Sequence, residues 1–222
     1  MILFKTNIGI TLTAGIVFIS NINAALVGNF SFGGHYYEVY DNAVTWSAAR
    51  DAASAKTYQG STGALVEINS ANENTAISNF LQNNQARFTS AAGDGGNARY
   101  AWIGANDRNI EGTWVWDSSG TQFWDGLEPG HPTDPGSAIA GTYNNWGSTF
   151  PGEPDDFFGL QDAGAIAIDT WPRGVIGEWN DVIDGNTLPY IVEYPIPEPA
   201  HFTLTVAILG IGLLWRRHLR KK

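Results

Sequence analysis

Apolar positions along the chain switch between strand-like and helical spacing, and those changes divide it into elements. From Phe30 to Tyr40 aromatic residues crowd around Gly33-Gly34, which predicts a strand or a hairpin broken at the glycine pair. Thr45 then precedes Trp46, Ala49 and Ala53, which share one face at helical spacing. Gly63 to Ile68 reads as a short strand. Ser70-Ala71-Asn72-Glu73 forms a capping box in which Ser70 and Glu73 each satisfy an orphan amide. The helix it opens is expected to bury Ile77, Phe80 and Leu81. Asn83 to Asn97 is polar and Gly-rich, as a loop would be.

From Tyr100 onward the pattern is β-like. Tyr100 to Gly104 and Gly112 to Trp116 are strand candidates, with Asp107 and Glu111 in the turn between them. Trp124 to Trp146 carries Gly, Pro, Asn and Asp throughout and predicts a long loop without regular structure, a feature usually tied to function. Ala163 to Ile168, Gly174 to Trp179 and Tyr190 to Tyr194 read as three closing strands. A strand, two helices and then strands around a long loop is an α+β order. No internal repeat is present.

Between the last candidate strands lies the chemistry. Gly152-Glu153-Pro154-Asp155-Asp156, Gln161-Asp162 and Glu178-Trp179-Asn180-Asp181 bring oxygen-bearing side chains in two bursts, with the apolar run Ala163 to Ile168 between them. One loop and one strand would unite both bursts. Calcium takes six to eight oxygens, charged and neutral mixed, and suits such a set. Pro154 fixes φ between two carboxylates.

The two ends read differently from the middle. Residues 1–24 resemble a secretory signal: Lys5, an apolar run from Ile8 to Ile19, then Ile22-Asn23-Ala24 as a cleavage site. At the other end Pro197-Glu198-Pro199 precedes an apolar run from Phe202 to Trp215 and the basic residues Arg216, Arg217, Arg220, Lys221 and Lys222. That run spans roughly 21 Å as a helix, short of a ~30 Å hydrocarbon core. The tripartite tail, 196–222, resembles the PEP-CTERM sorting signal of Gram-negative bacteria. The resemblance implies transient membrane insertion, recognition by an exosortase, and delivery to the cell surface or extracellular matrix. Residues 25–195 remain as one domain.

Charge narrows the partners. Residues 25–199 hold six basic side chains against 22 acids, a net −16, which disfavours nucleic acid. Divalent cations would relieve that self-repulsion. There is no cysteine, so thiol chemistry and cysteine–zinc sites are excluded.

From about Asn29 to Tyr194 the chain resembles a C-type lectin domain. The landmarks are Gly34-His35-Tyr36-Tyr37, Thr45-Trp46-Ser47-Ala48-Ala49, Gly63-Ala64-Leu65-Val66-Glu67-Ile68, Trp102-Ile103-Gly104, Asn145-Trp146, Gly152-Glu153-Pro154-Asp155, Trp179-Asn180-Asp181 and Tyr190-Ile191-Val192-Glu193. The resemblance implies a double-loop fold: chain ends paired in a sheet, two helices flanking antiparallel sheets, and a long loop bearing calcium and sugar sites. It places a principal calcium and carbohydrate site on Glu153, Asp155, Gln161, Asn180 and Asp181, and an auxiliary calcium site on Asp107, Glu111, Asp156 and Asp162. Vicinal sugar hydroxyls on the ion would donate to Glu153 and Asp155 and accept from Asn180 and Gln161.

Three departures stand out. The family's two disulfides would fall on Ala53 with Val192 and on Ala163 with Asp184; the second substitution is expected to leave its loop less tethered. The triplet is Glu-Pro-Asp, neither the mannose-type nor the galactose-type form, and the downstream acid is Gln161. The expected protein is therefore an exported, calcium-dependent lectin for a glycan or exopolysaccharide. The alternatives are a calcium-stiffened structural or protein-binding matrix component and a glycoside hydrolase built on Glu153 and Asp155. The hydrolase is disfavoured because a carboxylate ligating calcium stays ionised and cannot act as a general acid.

Overall fold

The computed structural model describes residues 25–196. The expected secretory signal and the expected sorting tail beyond Ile196 lie outside the described residues. Among the described residues no helix is long and apolar enough to cross a membrane.

Strands β1 (Leu26–Phe32) and β2 (His35–Val44) form an antiparallel hairpin. Its turn is Gly33-Gly34, with φ of 58° and 87°, a conformation glycine adopts without strain. Helix α1 (Trp46–Ser54) follows, its first turn capped by Thr45 Oγ1, which accepts the Ala48 N–H at 3.3 Å. Trp46, Ala49 and Ala53 are all fully buried, as their spacing requires. Short strands β3 (Thr57–Tyr58), β4 (Ser61–Thr62) and β5 (Ala64–Leu65) lead into α2 (Ala71–Asn83). Strands β6 (Ala91–Ala92), β7 (Ala98–Asn106), β8 (Thr113–Trp116), β9 (Gln122–Asp125) and β10 (Ser137–Ala138) come next, and β11 (Ala163–Ala167), β12 (Trp179–Val182) and β13 (Leu188–Pro195) close the chain.

The main sheet runs β1-β2-β13-β7-β8-β9-β10. Strand β13 pairs antiparallel with β2, so the two ends of the domain meet in one sheet. On its other side it touches β7 in parallel, Tyr190 opposite Trp102. Strand β11 lies antiparallel to β7 and carries β12 on its far edge. Every β11 residue is buried, which explains its unbroken apolar run. This is the expected α+β architecture with two helices and antiparallel-rich sheets.

Tryptophan holds the core together. Trp114, Trp116, Trp146 and Trp179 meet Phe123, Ile77 and Leu81 in one cluster, while Trp46 and Trp102 pack with Tyr100, Tyr190 and Val192 in another. Fully burying one such side chain contributes about 1.5–3 kcal/mol. No disulfide helps. Ala53 and Val192 sit together in the second cluster, and Gly63 fits between them: a Cβ there would meet the Ala53 carbonyl oxygen and Val192 Cγ1, each at 2.8 Å.

Several expectations are corrected. Gly174 to Glu178 is a turn rather than a strand: the Glu178 carboxylate accepts the Val175 N–H at 2.9 Å, and Gly177 has φ of 84°. A local side-chain acceptor competed with the sheet and won, so the strand begins at Trp179. The segment from Trp124 to Trp146 is not structureless, because β10 pairs with β9. Of the helix residues expected inside, Ile77 and Leu81 are fully buried, whereas Phe80 is half-buried and stacks on Phe30 at 5.1 Å. In the capping box Ser70 Oγ accepts the Glu73 N–H, but Glu73 reaches one residue further back, to the Asn69 N–H, and also accepts from the Tyr37 hydroxyl at 2.6 Å. The loop around Asp184 has non-covalent ties in place of a disulfide. Asp184 pairs with Arg108 at 3.1 Å, and its carbonyl accepts the Trp46 N–H at 3.0 Å.

Candidate functional site

Three backbone hydrogen bonds bring the long loop back to β12. The Trp179 N–H donates to the Asn145 carbonyl at 2.8 Å, the Gly147 N–H to the Trp179 carbonyl at 2.8 Å, and the Glu153 N–H to the Gly147 carbonyl at 2.9 Å. Trp146 and Trp179, buried edge to face at 5.9 Å, fix this register by packing. Glu153 is thereby set beside β12, and the Glu153–Pro154 peptide is cis. Asp181, with no exposed surface, ties the strand to the loop. Its carboxylate accepts the Asp155 N–H at 3.0 Å and the Asp156 N–H at 2.7 Å.

The two oxygen-rich bursts therefore meet. Glu153, Asp155 and Asp181 each offer a carboxylate oxygen, and these lie within 4.8 Å of one another. Glu153, Asp155 and Asn180 line a cavity of about 160 Å³ together with Asp94, Phe157, Trp171 and Arg173. Glu153 Oε1 accepts the Trp171 indole N–H at 3.0 Å, while Oε2 is buried without a partner. Asn180 donates to the Tyr100 hydroxyl at 3.0 Å, and its carbonyl oxygen is likewise buried and unpartnered.

Gln161 stands apart from this group. Its Oε1 accepts the Phe157 N–H at 2.6 Å and its Nε2 donates to Asp94 at 3.0 Å. The side chain thus works as a strut under the loop, with its carbonyl oxygen already engaged. Asp94 also accepts the Ile183 N–H at 2.8 Å and the Asn186 amide at 2.7 Å, so it clamps three segments.

A second cluster forms where the β7–β8 turn meets the end of the long loop. Asp107, Glu111 and Asp162 present oxygens within 4.8 Å of one another. Asp107 Oδ2 accepts the Gly112 N–H at 2.9 Å; Oδ1 is buried with no partner. Asp156, the fourth acid expected here, is not in that group. It sits at φ 42°, its Oδ1 accepts the Gln161 N–H at 3.1 Å, and its charge acts on Glu111.

Burial and like charge shape both clusters. Burial pushes the Glu153 carboxyl up to about 10, and Asp181 and Asp155 push it further than Trp171 and Arg173 pull it back. Burial and the Asp155 charge raise Asp181 to about 8. Burial also raises Asp155, against the opposing pull of Arg173. In the second cluster burial raises Asp107 to about 8, with Glu111, Asp181 and Asp162 adding to the effect. Burial raises Glu111 and Asp162 as well. Each cluster is short of positive charge. Their donors are all oxygen, both contain a buried oxygen lacking a partner, and a hard divalent cation such as calcium fits them.

Three residues at the first site escaped sequence reasoning: Asp94, Trp171 and Arg173. An acid within Gly93-Asp94-Gly95-Gly96 was a weak signal for a fixed turn. Nothing local marked the other two.

The fold and the paired acid clusters define a lectin-like binding domain, and the comparison with family models agrees. Residues 44–191 match the Lectin C-type domain, and the chain belongs to that family. It is 32% identical over 173 residues to Halomucin from Haloquadratum walsbyi, a match covering 75% of this chain but only 2% of that protein's length. Among solved structures it is similar to the C-type lectin CEL-I from Cucumaria echinata, with TM-score 0.52, 20% identity, and coverage of 75% of this chain and 94% of that one. CEL-IV gives TM-score 0.50 and 21% identity over 79% of this chain and 95% of that chain. These structural likenesses establish the fold. Membership of the family suggests carbohydrate binding, and the fold is generally a non-enzymatic one.

Proposed function

We propose that this is an exported, calcium-dependent carbohydrate-binding protein of a bacterial surface or extracellular matrix. One observation carries the reading. Glu153, Asp155 and Asp181 converge with a single guanidinium, Arg173, leaving two negative charges uncompensated in a buried site. A divalent cation supplies that balance, and protons take its place when it is absent. Glu153, Asp155, Asp181 and the free carbonyl oxygen of Asn180 would hold the ion. Asp107, Glu111 and Asp162 would hold a second, with Asp156 close behind.

A bound calcium would offer open coordination positions to two vicinal sugar hydroxyls. The chain's own part is to fix the ligands, to exclude water through Trp171 and Phe157, and to accept the hydroxyl protons on Glu153 and Asp155. Gln161 acts by bracing the loop. The reading extends to the ends: residues 1–24 as a cleaved secretory signal, 25–195 as the lectin domain, and 196–222 as a sorting tail that inserts transiently and is processed by an exosortase.

A glycan array run with calcium and with chelator tests the central claim; equal signals in both conditions reject it. A second reading is a calcium-stiffened matrix component that binds no sugar. The bonds from Asp181 to the Asp155 and Asp156 amides favour it, since they couple site geometry to loop order. Calcium-dependent thermal stability without any glycan signal would select that reading.

A further inference from the structure

We propose that Arg173 makes this site selective for anionic sugars, those bearing a carboxylate, sulfate or phosphate ester. The proposal rests on the lectin reading and names the ligand class of that same site.

Arg173 is the one cationic side chain lining the cavity that also holds Glu153, Asp155 and Asn180. Its guanidinium is anchored twice. One nitrogen lies 2.8 Å from Asp155 Oδ2, and another donates to the Gly152 carbonyl at 3.0 Å. Gly152 and Asp155 bracket Glu153 and Pro154, so the guanidinium is fixed against the segment that carries the candidate ion ligands. Of the five N–H groups on a guanidinium, the bond to Gly152 engages one, and the ion pair holds the group towards Asp155. The side chain keeps 30% of its surface exposed. Several donors are therefore left at the cavity's rim, on a cation that is already positioned.

Local charge decides what those donors can meet. Fully ionised, the three carboxylates would outweigh Arg173 by two charges. A divalent cation brings the sum over those four side chains to zero. A carboxylate has two oxygens, so Asp155 can keep its bond to Arg173 while facing the ion. Spare guanidinium donors then share one cavity lining with the candidate ion ligands, and a guanidinium can meet an oxyanion through two parallel N–H groups. Elsewhere the domain is strongly acidic, with six basic side chains against 22 acids over 25–199, so this cavity becomes a focus where an anionic glycan is accepted. Asp94 adds a further carboxylate to the lining, with its oxygens turned to Gln161, Ile183 and Asn186.

The test compares matched sugars on the tail-bearing protein with calcium and with chelator. Calorimetry would use a glucuronate-terminated disaccharide, its carboxyl-reduced neutral counterpart, and the 6-sulfate and 6-phosphate of that neutral form. The expected result is calcium-dependent binding with at least one anionic form preferred about tenfold or more over the neutral one. Arg173→Gln should collapse the ratio towards one, and Arg173→Lys should restore it only in part. Arg50→Gln, which removes a distant cation, should leave it unchanged. The three anionic arms report which oxyanion is read. Calcium-dependent binding with no anionic preference, or a preference that survives in Arg173→Gln, overturns the inference and leaves the lectin reading intact. Absence of calcium-dependent binding to every sugar overturns both. Calcium titration of each variant shows whether its ion site persists.

Discussion

Trp171 donates its indole N–H to Glu153 Oε1 at 3.0 Å, across 18 residues of sequence. The bond uses one oxygen of a buried carboxylate and leaves the other, Oε2, free. The tryptophan therefore both shields Glu153 from water and aims it. Trp171→Phe keeps most of the packing and removes the donor. The metal-free domain should lose about 1–3 kcal/mol, the cost of a buried acceptor losing its partner. Urea unfolding with chelator measures it, and an unchanged midpoint would show that Glu153 is not held by this bond.

Proton uptake gives the metal-free domain an unusual pH profile. Glu153 and Asp181 are raised from ordinary values of 4.5 and 3.8 to about 10 and about 8. The folded state therefore binds more protons than the unfolded one between these limits. Stability from this source is complete below about pH 4 and is lost as pH rises through 8 and towards 10. Calcium binds the deprotonated cluster and competes with protons. The melting temperature should fall from pH 5 to pH 9 in chelator, and stay level or rise over the same range in saturating calcium.

The second cluster can be silenced separately. Asp107→Asn can keep an oxygen on the Gly112 N–H while removing one of the buried charges raised by its neighbours. The metal-free domain should become more stable, and calorimetric calcium stoichiometry should drop from two to one. A stoichiometry still at two would remove Asp107 from the ion's ligands.

Gln161 offers a test of strut against ligand. Gln161→Glu would set a carboxylate against Asp94, which now receives the amide at 3.0 Å. As a strut, the variant should weaken the metal-free fold by about 1–3 kcal/mol, and adding Asp94→Asn should recover much of the loss. As a ligand, the new charge would instead tighten calcium binding without that rescue. Urea unfolding and calcium titration of the double-mutant cycle separate the two.

Much of this was legible in the chain. Thr45 and Ser70 announced both helices because an N-cap is a local device, set by one side chain and the amide three residues on. Ala163 to Ile168 announced a closing strand, and the structure buries every residue of Ala163–Ala167. Asp107 and Glu111 were legible as acids of one turn between strands, and the family resemblance, not their spacing, suggested an ion there. Local competition misled where it was subtle: Val175 and Ile176 look like strand residues, yet the Glu178 carboxylate folds them into a turn.

The sequence by itself determined most of the elements, the acidic surplus and the two bursts of oxygen-bearing side chains, since composition and short-range spacing carry that information directly. Only the tertiary structure decided that Glu153 and Asp181 converge, that Gln161 is bonded to Phe157 and Asp94, and that Asp94, Trp171 and Arg173 line the same cavity. The reason is physical: those relations depend on Trp146 packing against Trp179 and drawing the long loop onto β12. A hydrogen bond between residues far apart in the chain leaves no periodic trace in either partner's neighbourhood.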